Sequence, residues 1–384
     1  MLIQSNDELR QFCQALKASR FITLDTEFIR DRTYWPRLCL LQAAGESDIA
    51  AIDPLAEGID LAPFFELLHA PEIMKVFHAA RQDIEIFYHM TGFVPAPIAD
   101  TQVMASVCGY GEAASYEALV NRVAGGTIDK SSRYTDWAQR PLSEKQLHYA
   151  LDDVRYLRPV YEKLLQRVAD EGRMHWITED MAVLENPATY QLHPENAWKR
   201  LKMRVDKPRQ FALLRDLAAW REEEAQKMDV PRGRVLKDEA LGEICHHPPH
   251  SVEDLLRLRG LYPDVARGRI GAAVLEVVSK SLARPHEPLP DELKKKPATA
   301  NTGAIADMLR VLLRFVAEKE GVAPRIIASS ADLDALADKD DAPIPALHGW
   351  RFELFGKKAL ELKHGKLALK LHGTRVEFIE APSP

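Results

Sequence analysis

The stretch Phe21-Ile-Thr-Leu-Asp-Thr-Glu-Phe28 decides how this chain is read. It is apolar enough for a buried strand, yet it carries two acids, Asp25 and Glu27. Successive side chains on a strand point to opposite faces. Phe21, Thr23, Asp25 and Glu27 therefore share one face, and Ile22, Leu24, Thr26 and Phe28 the other. Two neighbouring carboxylates repel each other unless positive charge lies between them. A hard divalent cation with oxygen ligands supplies that charge. An acidic strand end at a solvated edge is the other reading, and so short a pattern leaves both open.

The surrounding segments place this strand in a layered α/β domain. Asn6–Ala18 reads as a helix, residues 38–43 and 48–52 as short strands, and 75–78 as another strand. Residues 82–90 carry Ile84, Phe87 and Tyr88 on one helical stripe. Further helices are expected at about 101–108, 115–124 and 143–169. Such alternation indicates a central sheet with flanking helices. Residues 170–207 read as a connecting arm with an irregular middle at Glu185-Asn-Pro-Ala-Thr189. From Pro208 the strand signals vanish, and helical periodicity through residue 284 predicts a small all-α bundle. A proline-rich stretch with Lys294-Lys-Lys296 predicts an extended linker over 285–300. Residues 301–384 read as a second helical module, with a short helix from Ser330 and a closing β-hairpin around His372-Gly-Thr.

With 384 residues, 46% hydrophobic and 28% charged, the chain has the composition of a multidomain globular protein. No apolar run is long enough for a membrane span. The opening residues lack a signal-peptide pattern, and the four cysteines are scattered, so reduced thiols and a cytoplasmic location are expected. Net charge is −6. Residues 1–165 hold 23 acidic against 16 basic residues, so the acidity is confined to the first domain. Any affinity for phosphate must then be local, because bulk charge does not provide it.

Three further positions match the acidic strand. Asp83 falls in the first turn of the helix after His78-Ala-Ala-Arg-Gln-Asp83. Ser143 and Gln146 form a capping box, which starts a helix at Ser143. Tyr149 and Asp153 are then four apart on one helical face. His148 is five residues before Asp153 and turns about 140° away from it. The geometry selects Tyr149, not His148, as the partner of Asp153.

Asp25-Thr-Glu27, Asp83 and Tyr149-x-x-x-Asp153 resemble the three motifs of the DEDD superfamily of 3′→5′ exonucleases, tyrosine subclass. Asp25 through Gln42, and Asp129-Lys-Ser-Ser-Arg-Tyr-Thr-Asp-Trp-Ala-Gln-Arg-Pro-Leu142, resemble blocks of the ribonuclease D family. Leu217-Ala-Ala-Trp-Arg-Glu-Glu-Glu-Ala225 with Val230-Pro-Arg resembles the helicase-and-RNase-D C-terminal (HRDC) domain. The resemblance covers most of the chain and is clearest up to about residue 284. It implies an exonuclease domain over 1–169 with an RNase H-like fold, in which a mixed central sheet is flanked by helices. An arm over 170–207, an HRDC bundle over 208–284 and a degenerate HRDC-like module over 301–384 would follow. It also implies that RNA with a free 3′ end, tRNA precursors above all, is trimmed to nucleoside 5′-monophosphates.

The chemistry implied is two-metal hydrolysis by Mg²⁺ or Mn²⁺, with ions about 3.5–4 Å apart. Asp25, Glu27, Asp83 and Asp153 are the implied ligands. Tyr149, with a free pKa near 10, would orient the attacking water. No nucleotide cofactor is expected, since no P-loop occurs. Thr26, Phe28, His78 and Arg133 are candidate substrate contacts. Each has a plainer reading, as core, strand end or surface. The turn at residues 30–35 mixes cations with aromatics, which suits single-stranded nucleic acid; a solvated connection is the plainer expectation. Cys245-His-His-Pro-Pro-His250 has no zinc-site spacing and reads as a loop. A DNA-directed exonuclease and a non-catalytic RNA-binding scaffold are the rival functions.

Overall fold

The computed structural model describes residues 1–285, 287–290, 293, 302–373 and 375–380. The proposed Lys294-Lys-Lys296 run therefore lies outside the described residues. The first elements are β1 (Leu2–Ile3), α1 (Asn6–Leu16), β2 (Phe21–Ile29), β3 (Arg37–Ala44) and β4 (Ile49–Ile52). They are followed by α2 (Ala62–His69), β5 (Met74–Phe77), α3 (Arg81–Thr91), β6 (Ile98–Asp100), α4 (Thr101–Val107) and α5 (Tyr116–Leu119). The long α6 (Glu144–Asp170) and then α7 (Met174–Glu185) complete this part.

The six strands form one mixed sheet in the order β1-β4-β3-β2-β5-β6. β2 pairs with β5 in parallel, as β5 does with β6, whereas β3 and β4 are antiparallel. The acidic strand is thus interior to the sheet, and its Ile22 and Leu24 are fully buried. β1 and β6 were not legible in the sequence, because two or three residues cannot display an alternation.

Two helix starts follow their local signals. Ser5 and Glu8 cap α1 reciprocally, and Leu9, Phe12, Cys13 and Leu16 bury its inner face. Ser143 and Gln146 form the expected capping box at the start of α6. Along α6, Ala150, Asp153, Val154, Leu157, Tyr161, Leu164 and Val168 are buried, at spacings of one, three and four that keep them on one broad face.

The chain divides into two compact units. One contains Met1–Glu27, Leu38–Thr189 and Ala298–Pro384. Its C-terminal portion comprises α14 (Thr302–Glu320), α15 (Pro324–Ile327), α16 (Ser330–Asp338), α17 (Gly349–Arg351), α18 (Lys357–Lys363) and the hairpin β7 (Leu367–His372) and β8 (Arg375–Glu380). The cap of α16 is Ser329, one residue before the serine read from sequence. This portion docks on α7. Trp350 stacks on Trp176 at 4.4 Å, and Arg351 makes a two-pronged ion pair with Asp180 at 2.7 and 3.1 Å.

The other unit contains Phe28–Arg37 and Tyr190–Pro297. Its helices are α8 (Pro208–Met228), α9 (Arg232–Val235), α10 (Asp238–His246), α11 (Val252–Leu255), α12 (Pro263–Arg267) and α13 (Arg269–Leu282). They enclose Phe211, Leu214, Leu217, Leu241, Ile244, Leu255 and Val274. Tyr34 is only 3% exposed here and hydrogen-bonds Glu222, whose carboxylate also takes Arg232. Asp229 accepts from the backbone N–H groups of both Tyr34 and Trp35. The solvated connection expected at residues 30–35 therefore fails at Tyr34. Its hydroxyl has buried polar partners that lie far away in sequence. Among the described residues no helix is long and apolar enough to cross a membrane.

Candidate active site

Strand alternation places Phe21, Thr23, Asp25 and Glu27 on one face, and that face looks onto α6. The Phe21 ring meets Tyr161 edge-on at 4.9 Å. The Thr23 hydroxyl donates to the Val154 carbonyl at 2.8 Å. One step further, the carboxylates of Asp25 and Glu27 meet Asp153. Ligand oxygens of these three acids all lie within 4.8 Å of one another. Strand numbers rise as helix numbers fall, so the two elements run past each other in register.

Asp83 is delivered by a different device. The chain leaves β5 through His78, and Ala79 adopts a left-handed φ of 59°. Asp100 accepts from the N–H groups of Ala79 and Ala80 at 2.9 and 2.8 Å, and from Gln102 at 2.8 Å. One buried carboxylate thereby caps α4 and holds the turn that opens α3. Asp83 sits in the first turn of α3, where a negative charge is favoured by the helix dipole. Its carboxylate accepts from the Thr26 hydroxyl. Asp83 does not belong to the close group formed by Asp25, Glu27 and Asp153, but its charge reaches both Asp25 and Glu27.

α6 is fastened at its start. Arg140 reaches Asp53 and the Cys39 carbonyl, anchoring the lead-in on the sheet. Gln146 donates to the Thr135 hydroxyl at 3.1 Å. Trp137 is buried, with its ring 6.1 Å from that of Tyr149. Tyr149 lines the same cleft as Asp153, and its phenol favours the charged form of that carboxylate. His148 is 70% exposed and lies 3.2 Å from Asp152, away from the acids.

A cleft of about 360 Å³ opens over this floor. Asp25, His78, Gln102, Tyr116, Glu117, Lys130, Arg133, Tyr149 and Asp153 are among its lining residues. Thr26 and Phe28 are not among them. Thr26 is buried and serves Asp83, and Phe28 belongs to the other compact unit. His78 keeps its Nδ1 3.0 Å from the Thr101 hydroxyl, and its ring faces Tyr116 at 5.4 Å. Burial holds the His78 imidazole below its ordinary pKa. Tyr116 carried no signal in the sequence. Its hydroxyl donates to the carbonyls of Asp152 and Asp153, pinning the backbone that carries the acid.

Burial and mutual repulsion raise the acids together. Asp25 is pushed well above the carboxylate range by burial, then by Asp153, Asp83 and Glu27. Glu27 is raised to about 9 by burial and by Asp153 and Asp83, with Arg133 opposing. Asp83 and Asp153 are both raised to about 7, chiefly by burial. The phenol of Tyr149 is raised by burial and by Asp153, so it stays protonated. Such a group either retains protons or takes up a cation. Its donors are all carboxylate oxygens, which fits a hard divalent ion and not a thiolate-seeking one. The segment 245–250 joins no such cluster among the described residues: Cys245 is buried, and His246 turns back to the Gly242 carbonyl.

Residues 1–169 match the family model for 3′-5′ exonucleases, and residues 210–278 match that for the HRDC domain. The chain is 47% identical to ribonuclease D of Acidiphilium cryptum, covering 100% of this chain and 97% of that one. It is 46% identical to ribonuclease D of Gluconacetobacter diazotrophicus, covering 99% and 97%. Among solved structures it is similar to RNase D of Escherichia coli, an exoribonuclease involved in structured RNA processing. That likeness has a TM-score of 0.81 at 29% identity, covering 95% of this chain and 98% of that one.

Proposed function

The chain belongs to the ribonuclease D family of 3′-5′ exoribonucleases, and from that premise we propose how its own residues act. The substrate is RNA with a free 3′ end, structured RNAs and tRNA precursors in particular, and the products are nucleoside 5′-monophosphates. The observation that carries this reading is the convergence of Asp25, Glu27 and Asp153 within 4.8 Å, with Asp25 and Asp153 lining a cleft beside Tyr149 and Arg133.

Asp25, Glu27 and Asp153, with Asp83 as a fourth carboxylate, would hold two divalent ions, Mg²⁺ or Mn²⁺. When bound, such ions lower the pKa of water and offset charge on the leaving 3′ oxygen. The protonated Tyr149 aligns the attacking water beside Asp153. Arg133 opposes the negative charge of the phosphate at the cleft mouth. Tyr116 and Thr23 hold the backbone of α6 so that Asp153 stays on station. Thr26 holds Asp83 and does not touch substrate. His78 borders the space for the terminal nucleotide. We assign residues 1–169 to the exonuclease domain, 170–207 to the arm and 208–284 to the HRDC domain. A linker over 285–300 and a second HRDC-like module over 301–384 complete the assignment, and both helical modules guide the RNA.

The test uses RNA and DNA of one sequence, labelled at the 5′ end, with Mg²⁺ and an Asp25→Ala control. Stepwise shortening of RNA, lost in the control, is the expected result. Equal shortening of DNA would favour the DNA-directed reading. Activity that survives in the control would overturn the assignment of the site.

A further inference from the structure

At the mouth of the cleft, two cations project from a single short turn. Asp129 caps a 3₁₀ turn, Lys130–Ser132, by accepting from the Ser131 N–H at 2.9 Å, and Arg133 closes it. In a 3₁₀ turn, residues three apart are eclipsed, at about 2 Å of rise per residue. Lys130 and Arg133 therefore stand on one side, one turn apart, and both line the cleft. Arg133 is the inner of the two, because its charge reaches Glu27 and Asp153. It stacks on Tyr134 at 5.2 Å and pairs with no carboxylate among the described residues. Lys130 is the outer one, and its ammonium is held by Glu117, which also lines the cleft. The two side chains are 43% and 39% exposed. An ion pair so open to water is weak and readily exchanged.

Resting on the exonuclease reading, we propose that Lys130 is the seat for the second phosphate from the RNA 3′ end. Glu117 occupies that seat until RNA displaces it. Arg133 takes the scissile phosphate, and the turn sets the spacing between the two. The site then prefers a strand of at least two phosphodiesters over a dinucleotide with one. Glu117 is an internal competitor and does not contribute to binding.

This arrangement makes the two halves of one ion pair act with opposite signs. The experiment measures kcat/KM in Mg²⁺ for a hexanucleotide RNA and for a dinucleoside monophosphate, over a range of salt. Lys130→Ala is expected to lower the hexanucleotide value roughly fivefold to tenfold and to lessen its salt slope by about 0.7 to 1. The preference for the longer strand should shrink with it. Glu117→Gln is expected to raise the hexanucleotide value at low salt, through KM. If both variants lower activity alike, the pair is only a brace for the turn and the proposal falls. It falls too if Lys130→Ala depresses both substrates equally. A wild-type protein that cleaves neither RNA would overturn the exonuclease reading itself, and the seat with it.

Discussion

The Thr23 hydroxyl donates to the carbonyl of Val154 at 2.8 Å, tying the acidic strand to the helix that completes its site. Both groups are buried, and the bond lies one residue from Asp153 and two from Asp25. Replacing Thr23 with Val keeps the shape and removes the donor. A buried hydrogen bond of this kind contributes about 0.5–1.5 kcal/mol net. Urea unfolding of Thr23→Val should show a loss of that size, and kcat on RNA should fall while KM changes little. Unchanged kcat would mean that other contacts set the helix position.

The raised carboxyls predict how the metal-free protein responds to pH. Glu27 near 9 and Asp83 and Asp153 near 7 bind more protons folded than unfolded, where carboxyls titrate near 4. Stability then falls as pH rises, since the folded state must give up protons that the unfolded state has already lost. In EDTA, Tm should drop from pH 5 to pH 9, most steeply between pH 5 and pH 7, where all three carboxyls hold protons that the unfolded chain has lost, and more gently beyond, where only Glu27 still does. Added Mg²⁺ should raise Tm more at pH 8.5 than at pH 6. Glu27→Gln should flatten the fall in EDTA. A Tm in EDTA that climbs over this range would contradict the raised pKa values.

Tyr149 and His148 are adjacent in sequence and differ in surroundings. Tyr149 lies beside Asp153 inside the cleft, and His148 pairs with Asp152 at the surface. Tyr149→Phe should reduce kcat by about 10²-fold, the scale of losing a group that positions a reactant. His148→Ala should stay within about twofold, because an exposed pair contributes little. Single-turnover kinetics separates the chemical step from product release, and the reverse pattern would assign the role to His148.

The C-terminal module is joined to α7 by the stack of Trp350 on Trp176, and the Trp350 backbone N–H donates to Glu179 at 3.1 Å, a bond that side-chain truncation leaves in place. Trp350→Ala removes a fully buried side chain, and such deletions cost about 3–5 kcal/mol. Hydrogen exchange should then quicken in α14, α16 and α7 while α1 and α3 keep their protection. Uniform protection throughout would mean that the stack does not hold the module.

Much of this site is legible locally. Strand alternation brought Thr23, Asp25 and Glu27 onto one face, and the capping box at Ser143 fixed the phase that separates Tyr149 from His148. These features depend on residues within a few positions of each other, so a periodicity or a cap reports them. The substrate contacts were less legible. Thr26 was read as lying on the strand face opposite Asp25 and Glu27, yet its hydroxyl meets the fourth acid, Asp83, 57 residues distant, which no local pattern names. Tyr116 gave no signal at all, since a tyrosine after a serine cap resembles any helix start. Within residues 30–35, where Asp31 and Arg32 are exposed as expected, exposure was the wrong expectation only at Tyr34, because its partner is 188 residues away.

The sequence by itself determined which side chains share a face and which elements carry the acids, because periods of two and 3.6 residues are properties of the backbone. Only the tertiary structure decided what those faces meet. It set Phe21, Thr23 and Asp25 against Tyr161, Val154 and Asp153, and gave Asp100 the turn that presents Asp83. It also paired Lys130 with Glu117 across the cleft. Those pairings join segments distant along the chain, and only packing and the burial of polar groups select them.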